Sequence, residues 1–300
     1  MAPLAGITDS AFRQVCKKFG ADVVYSELSS ATALFYHPEP TLELLQFNEM
    51  ERPYVVQLFG NEPEHFAVAA RFVTERVKPD GIDINFGCPI PKVTKRGAGA
   101  MLMTNLPLAH EVIKAVIDNT DLPVSLKTRT KVKDMDLFTF LDSVADLDIK
   151  AVMIHGRTYA QRFSGPNDFE MTCGARNHFG GIILANGGAR NASSGKELLE
   201  KTGADGLGIA RGALGRPWIF RELRNALTGK ENDGIPAEDI FRVAFEHAEL
   251  TSALKPARGI IQMRKHLCWY LQNVRDASKM RGMAARVNTL EDVAVLLQAG

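Results

Sequence analysis

Short apolar runs of β-forming residues recur down this chain, and stretches with helical spacing separate them. The clear runs are Ala21–Tyr25, Tyr54–Leu58, Gly81–Asn85, Pro123–Lys127, Ala151–His155, Gly181–Ala185 and Gly206–Ile209. Continuous apolar runs of this length suit parallel strands covered on both faces. Helical patterns such as Pro63 to Arg76 and Leu106 to Asn119 lie between them. That alternation calls for a parallel sheet with right-handed crossovers. Met1-Ala2-Pro3-Leu4 supplies the end of an eighth run. Eight units over roughly 215 residues predict an α/β chain folded as a (β/α)8 TIM barrel. A doubly wound open sheet is the alternative, and the even spacing of eight units favours the barrel. The first run begins at residue 1 and is shorter than the usual strand of about five residues. The barrel therefore closes on a stub, or part of that strand is missing from the chain.

After Gly229-Lys230-Glu231-Asn232-Asp233-Gly234 the pattern changes, and from Pro236 onward no β-run remains. Ile240, Val243, Ala244, His247 and Leu250 fall at an amphipathic helical spacing. The expected division is a barrel over 1–230 and an all-helical domain over 235–300. Residues 251–300 hold eight Lys/Arg against three Asp/Glu, which reads either as a basic binding face or as a solvated helix surface. The net charge of the whole chain is only +1, so any nucleic-acid surface must be local.

Cys16, Cys88, Cys173 and Cys268 make no CxxC pair and no zinc spacing, which argues against a disulfide framework or a metal site. No apolar run is long enough to span a membrane, and the N-terminus lacks the plan of a secretory signal. A reducing cytoplasm is the expected location and a monomer the expected state.

Barrel enzymes carry their chemistry at the C-terminal ends of the strands. Reading those ends in order gives Ala5-Gly6, Gln57, Asn85 with Cys88, Lys127 with Arg129, His155 with Arg157, Asn186-Gly187-Gly188, and Ala210-Arg211-Gly212. Singly, each has an ordinary explanation: a core amide, a structural histidine, or a cysteine acting as a small hydrophobe. Together at one end of successive strands they describe an active face. The glycine turns of the last two units expose backbone N–H groups, and Arg211 adds a guanidinium suited to phosphate. Gln57 can face the polar edge of a flat ring, and Lys127 can stabilise negative charge near N1 of a reduced flavin. These features make a physical case for FMN.

With those residues in view, the chain resembles the tRNA-dihydrouridine synthases. The matching stretches include Ala2 to Asp9, Val56 to Gly60, Asp83 to Pro89, Lys95 to Ala100, Leu126 to Arg129, His155-Gly156-Arg157-Thr158, Ala185-Asn186-Gly187 and Arg211 to Trp218. Asn-x-Gly-Cys-Pro together with His-Gly-Arg-Thr is the specific pair. The resemblance implies an FMN-bound barrel, a helical domain that helps hold tRNA, and NADPH as the reductant. It implies Cys88 as the catalytic cysteine and His155 as a flavin-side histidine. It also implies Pro3, Leu4, Ala5, Gln57, Lys127, Asn186, Gly187, Gly188, Ala210 and Arg211 as FMN contacts. Asn85, Lys95, Arg96, Arg129 and Arg157 are the expected substrate contacts. Gly188 and Ala210 stand where the family often has Asp and Gly, and both contacts can be made by backbone. Thr130-Lys131-Val132 replaces the family's usual Thr-Gly-Trp beside the substrate.

The expected reaction reduces the C5=C6 bond of a uridine in tRNA. Hydride from reduced FMN N5 goes to C6 and a proton from Cys88 goes to C5. Three other readings fit part of this pattern. They are an FMN barrel acting on a free pyrimidine or orotate-like molecule, a non-catalytic RNA-binding module, and a general ene reductase.

Overall fold

The computed structural model describes residues 1–232 and 234–298. Its main sheet contains seven strands that pair in parallel and in chain order: β1 (Val24–Tyr25), β2 (Tyr54–Phe59), β3 (Gly81–Asn85), β4 (Val124–Arg129), β5 (Ile149–His155), β6 (Ile182–Asn186) and β7 (Gly206–Gly208). Ser29–Ser30 adds a short second pairing to β2. The apolar runs read from sequence all contribute strands, though the first of them shortens to two residues at its C-terminal end. Helices such as Pro63–Phe72, Leu106–Ile117 and Ala192–Thr202 cross between the strands and cover the outside. The core between the layers is aliphatic and aromatic, including Val56, Leu58, Ile82, Ile84, Leu126, Val152, Ile154 and Ala185.

The expected eighth strand is not a strand. Residues 1–4 form no ladder, yet they occupy the gap between the two edges of the sheet. The Met1 nitrogen donates to the Val23 carbonyl next to β1, and the Ala2 N–H donates to the Ile209 carbonyl after β7 at 2.7 Å. Pro3 has no N–H to extend such a ladder, so the cylinder closes through an extended stub. A second feature had no forewarning in the sequence: Lys131–Val132 and Met135–Asp136 pair as a small antiparallel hairpin at the exit of β4.

Between residues 237 and 298 the chain is helical, with helices at Ala237–Leu254, Gly259–Tyr270, Ala277–Ala284 and Leu290–Gln298. Their apolar faces form a second core around Met263, Leu267, Tyr270, Val293 and Leu296, which also takes in Val15 and Trp218 from the preceding part of the chain. The contact is built on helix Ser10–Lys18. Phe12 stacks on the His247 ring at a centroid distance of 5.5 Å, and Lys255 pairs with Asp9 at 2.7 Å. Lys265 donates to the Gly6 carbonyl, which ties the helical part to the rim of the barrel. Gly215 has φ +65, and a Cβ there would lie 2.2 Å from the Trp269 backbone carbon. Among the described residues, no helix is long and apolar enough to cross a membrane.

Candidate active site

The C-terminal ends of the strands surround a cavity of about 410 Å³. Pro3, Leu4, Ala5, Gln57, Asn85, Cys88, Lys127, Arg129, His155, Asn186, Gly187, Gly188, Ala210 and Arg211 all line it. Strand register explains the gathering. Side chains two apart on a strand share a face, and Gln57 lies opposite Asp83, Asn85 opposite Lys127, and His155 opposite Asn186.

The floor is a polar layer. Gln57 Nε2 donates to Asp83 Oδ2 at 2.6 Å, and the Ser125 hydroxyl donates to Asp83 Oδ1 at 2.7 Å. Asn85 Nδ2 donates to Gln57 Oε1 at 2.9 Å. Asn85 Oδ1 accepts from the N–H groups of Gly87 and Cys88, at 3.1 and 2.9 Å, and so shapes the turn that bears the cysteine. Across the floor, Lys127 Nζ donates to Asn186 Oδ1 at 2.9 Å, and Asn186 Nδ2 donates to the Gly208 carbonyl.

Burial sets the protonation states. It pushes the Cys88 thiol upward despite the nearby Arg129 and Lys127, so the sulfur keeps its proton at neutral pH. It lowers Lys127 to about 8, with Arg129 adding to the effect. His155 falls to about 2, through burial first and then through Lys127, Arg129, Arg157 and Arg211. Its ring is neutral. Arg157 Nη1 sits 3.4 Å from His155 Nε2. A guanidinium only donates, so Nε2 accepts and the ring proton lies on Nδ1.

The remaining expected site residues fall into two groups. Arg157 is outside the cavity lining: it is buried and donates to the Gly165 carbonyl at 2.8 Å. Arg129 reaches the lining, but its donors go to the carbonyls of Gly87, Thr158 and Arg162 at 2.7, 3.0 and 2.8 Å. It ties the cysteine turn to the loop after β5. Lys95 and Arg96 are exposed after the short helix Pro91–Thr94, also outside the lining.

Several contributors escaped the sequence reading. Asp83 is fully buried in the floor, disguised as one charge within an apolar strand. Phe163 is exposed at the mouth, with the guanidinium carbons of Arg129 and Arg211 each 5.6 Å from its ring centre. Arg190 lines the cavity just beyond the Gly187-Gly188 turn. Its position two residues past that turn was the available signal.

The cavity fits a flat ring bearing a phosphate. Gly187 and Gly188 have φ +106 and +82. A Cβ at Gly187 would lie 2.7 Å from His155 Cδ2, and one at Gly188 would lie 2.4 Å from Asn167 Nδ2. The turn is therefore backed tightly by side chains and presents main chain to the cavity. Arg190 and Arg211 stand beside it as cations. Lys127, Gln57 and neutral His155 offer hydrogen-bonding groups on the floor and wall. No group of three or more His, Cys, Asp or Glu side chains is placed to hold a metal ion among the described residues.

A family model described as dihydrouridine synthase matches residues 1–299. A probable tRNA-dihydrouridine synthase of Mycobacterium tuberculosis strain H37Rv is 35% identical over 313 residues, covering 99% of this chain and 80% of its own length. tRNA-dihydrouridine synthase B of Pseudomonas aeruginosa is 35% identical over 297 residues, covering 97% of this chain and 88% of its own. Among solved structures, 6-hydroxypseudooxynicotine amine oxidase from Pseudomonas geniculata N1 superposes with a TM-score of 0.52 at 12% identity. That match covers 76% of this chain and 46% of the oxidase, and it concerns the fold alone.

Proposed function

The chain belongs to the dihydrouridine synthase family, and from that premise we propose that it reduces a uridine of tRNA to 5,6-dihydrouridine, with FMN as the bound cofactor and NADPH as reductant. The observation that carries the reading is that Cys88 lines the same cavity as the Gly187-Gly188 and Ala210-Arg211 turns.

FMN, when bound, supplies the hydride that C6 of the uracil receives. Main chain at Gly187, Gly188 and Ala210, with the Arg211 guanidinium, would hold the phosphate. Lys127 and Gln57 would meet the polar edge of the ring, and His155 Nδ1–H would donate from the wall. Pro3, Leu4 and Ala5 would pack along the ring's edge. As the C5=C6 π bond is lost, negative charge spreads over C5 and O4, and a proton must arrive at C5. Cys88 delivers it. Burial holds the thiol protonated until that moment, and the resulting thiolate takes a proton back from solvent. Asn85 keeps the sulfur in place through its bond to the Cys88 N–H. Arg129 serves the same end by fixing Gly87 to the loop after β5. A uridine in folded RNA must turn outward to enter such a cavity. Lys95 and Arg96, exposed after the short helix Pro91–Thr94, with the basic helical domain over 235–300, would take the RNA backbone.

Replacing Cys88 by Ala tests the assignment. The variant should bind FMN as the wild type does, show the same flavin absorbance, and reduce tRNA uridine at least about a hundredfold more slowly, the range lost with a general acid. Uridine reduction at the wild-type rate would remove Cys88 from the chemistry.

A further inference from the structure

The hydrogen bonds of the cavity floor have a direction. Asn85 Oδ1 must face the N–H groups of Gly87 and Cys88, so Asn85 Nδ2 must face Gln57. Gln57 then has to present Oε1 to Asn85 and Nε2 to strand β3. Nε2 needs an acceptor there, and Asp83 Oδ2 is that acceptor at 2.6 Å. A side chain amide can turn over by 180° with almost no change in shape, so the sense of the chain is fixed from its two ends: the Gly87 and Cys88 N–H groups hold Asn85, and Asp83 holds Gln57. The other Asp83 oxygen is held by the Ser125 hydroxyl, and Ser125 and Gln57 flank Asp83 in register on the neighbouring strands.

We propose that Asp83 is a positioning residue. It locks the orientation of Gln57 and, through Gln57 and Asn85, couples the amide on the cavity floor to the turn that carries Cys88. The proposal rests on the function given above for Gln57 and Cys88, but the relay itself is a property of this chain alone. Burial raises the Asp83 carboxyl to about 7. Either protonation state serves the relay. A protonated Oδ1 donates to the Ser125 hydroxyl, which rotates to accept, and Oδ2 remains an acceptor toward Gln57. An isolated buried carboxyl would be costly. A strand facing a cavity floor has no packing need for one, and this carboxyl is held by two neighbours that read its acceptor character.

Asp83→Asn can keep an acceptor toward Gln57 and a donor toward Ser125. Asp83→Ala cannot. The experiment measures the alkylation rate of Cys88 by peptide-resolved mass spectrometry and the FMN affinity by fluorescence, using the protein as purified and reconstituted with FMN. Asp83→Asn should stay within about twofold of wild type in both. Asp83→Ala should alkylate at Cys88 about fivefold faster and bind FMN about tenfold more weakly, the scale of one lost buried hydrogen bond. If Asp83→Ala does not fold, Gln57→Met breaks the same relay at its middle, and Lys127→Met weakens FMN binding without touching it. Faster Cys88 alkylation in Gln57→Met but not in Lys127→Met supports the relay. Equal Cys88 rates in wild type and Asp83→Ala, or in Gln57→Met and Lys127→Met, overturn it, as does Asp83→Asn behaving like Asp83→Ala. Neither readout involves uridine. A protein that leaves tRNA uridine unreduced yet shows this pattern would lose its proposed function and keep its relay.

Discussion

At the scale of single residues, burial and neighbouring charge decide what each group in the cavity can do. His155 has its ordinary range near 6.5 but falls to about 2 among four cations in a buried wall. It therefore acts as a neutral hydrogen-bond donor, and its ring should add no step of its own to the pH dependence of FMN affinity in the usual histidine range. Lys127 behaves differently, because burial lowers it only to about 8. Its folded value lies below its ordinary one, so the cation is present at neutral pH and is lost as pH rises through that value. FMN affinity, followed by flavin fluorescence, should fall above about pH 8, and Lys127→Arg should remove that alkaline limb because a guanidinium keeps its proton. The sequence could name these residues because each stands at the end of an apolar run. It could not reveal that Arg129 directs its donors to carbonyls of the cysteine turn and of the loop after β5, or that Arg157 directs one to a carbonyl of its own loop. The reach of a long side chain is decided by tertiary contacts that spacing does not encode. Asp83 was hidden for a related reason: an acid inside a β-run looks like an interruption until Gln57 and Ser125 are seen on either side of it.

At the scale of elements, the strand-to-loop turns carry the site, and their backbone geometry can be tested apart from side chain chemistry. Gly187→Ala forces a Cβ to within 2.7 Å of His155 Cδ2 at a φ of +106. It should weaken FMN binding at least about tenfold and lower stability by about 1–2 kcal/mol, the cost of a side chain in a left-handed conformation. Gly180→Ala, where a Cβ meets nothing within 4 Å, should leave both unchanged. Equilibrium dialysis and thermal melts measure the two effects. Strands β2 to β6 were legible because a strand covered on both faces is apolar along its length. The front of the chain was legible only in part. Residues 1–4 contribute one hydrogen bond to each edge of the sheet, too few for a ladder. The hairpin at 131–136 escaped because two-residue strands leave no periodicity to read.

At the scale of the whole molecule, the barrel and the helical part share a buried seam with two neutral histidines. His247 is lowered to about 4 and His266 well below its ordinary value, both mainly by burial; Asp9 pulls the other way, while Lys255 and Lys265 add to the lowering. Both rings pack against Phe12. Among the described residues, His247 Nε2 and His266 Nδ1 have no hydrogen-bond partner. Unfolding lets these rings take up protons near pH 6.5, whereas folded His247 resists until about 4 and His266 is held down in the same direction. The His247 contribution to stability is thus complete above about 6.5 and is lost as pH falls through about 4. The melting temperature should drop across that window, and His247→Leu should flatten the drop. A drop of equal size in His247→Leu would place the acid sensitivity elsewhere.

The contact at Gly215 bears on how a large ligand could be accommodated. With only a hydrogen atom separating that residue from the Trp269 main chain, the joint has no cushion of side chain on which to swing. Any side chain placed there would wedge the two halves apart, so the spacing on which a ligand touching both would depend is set by that bare position.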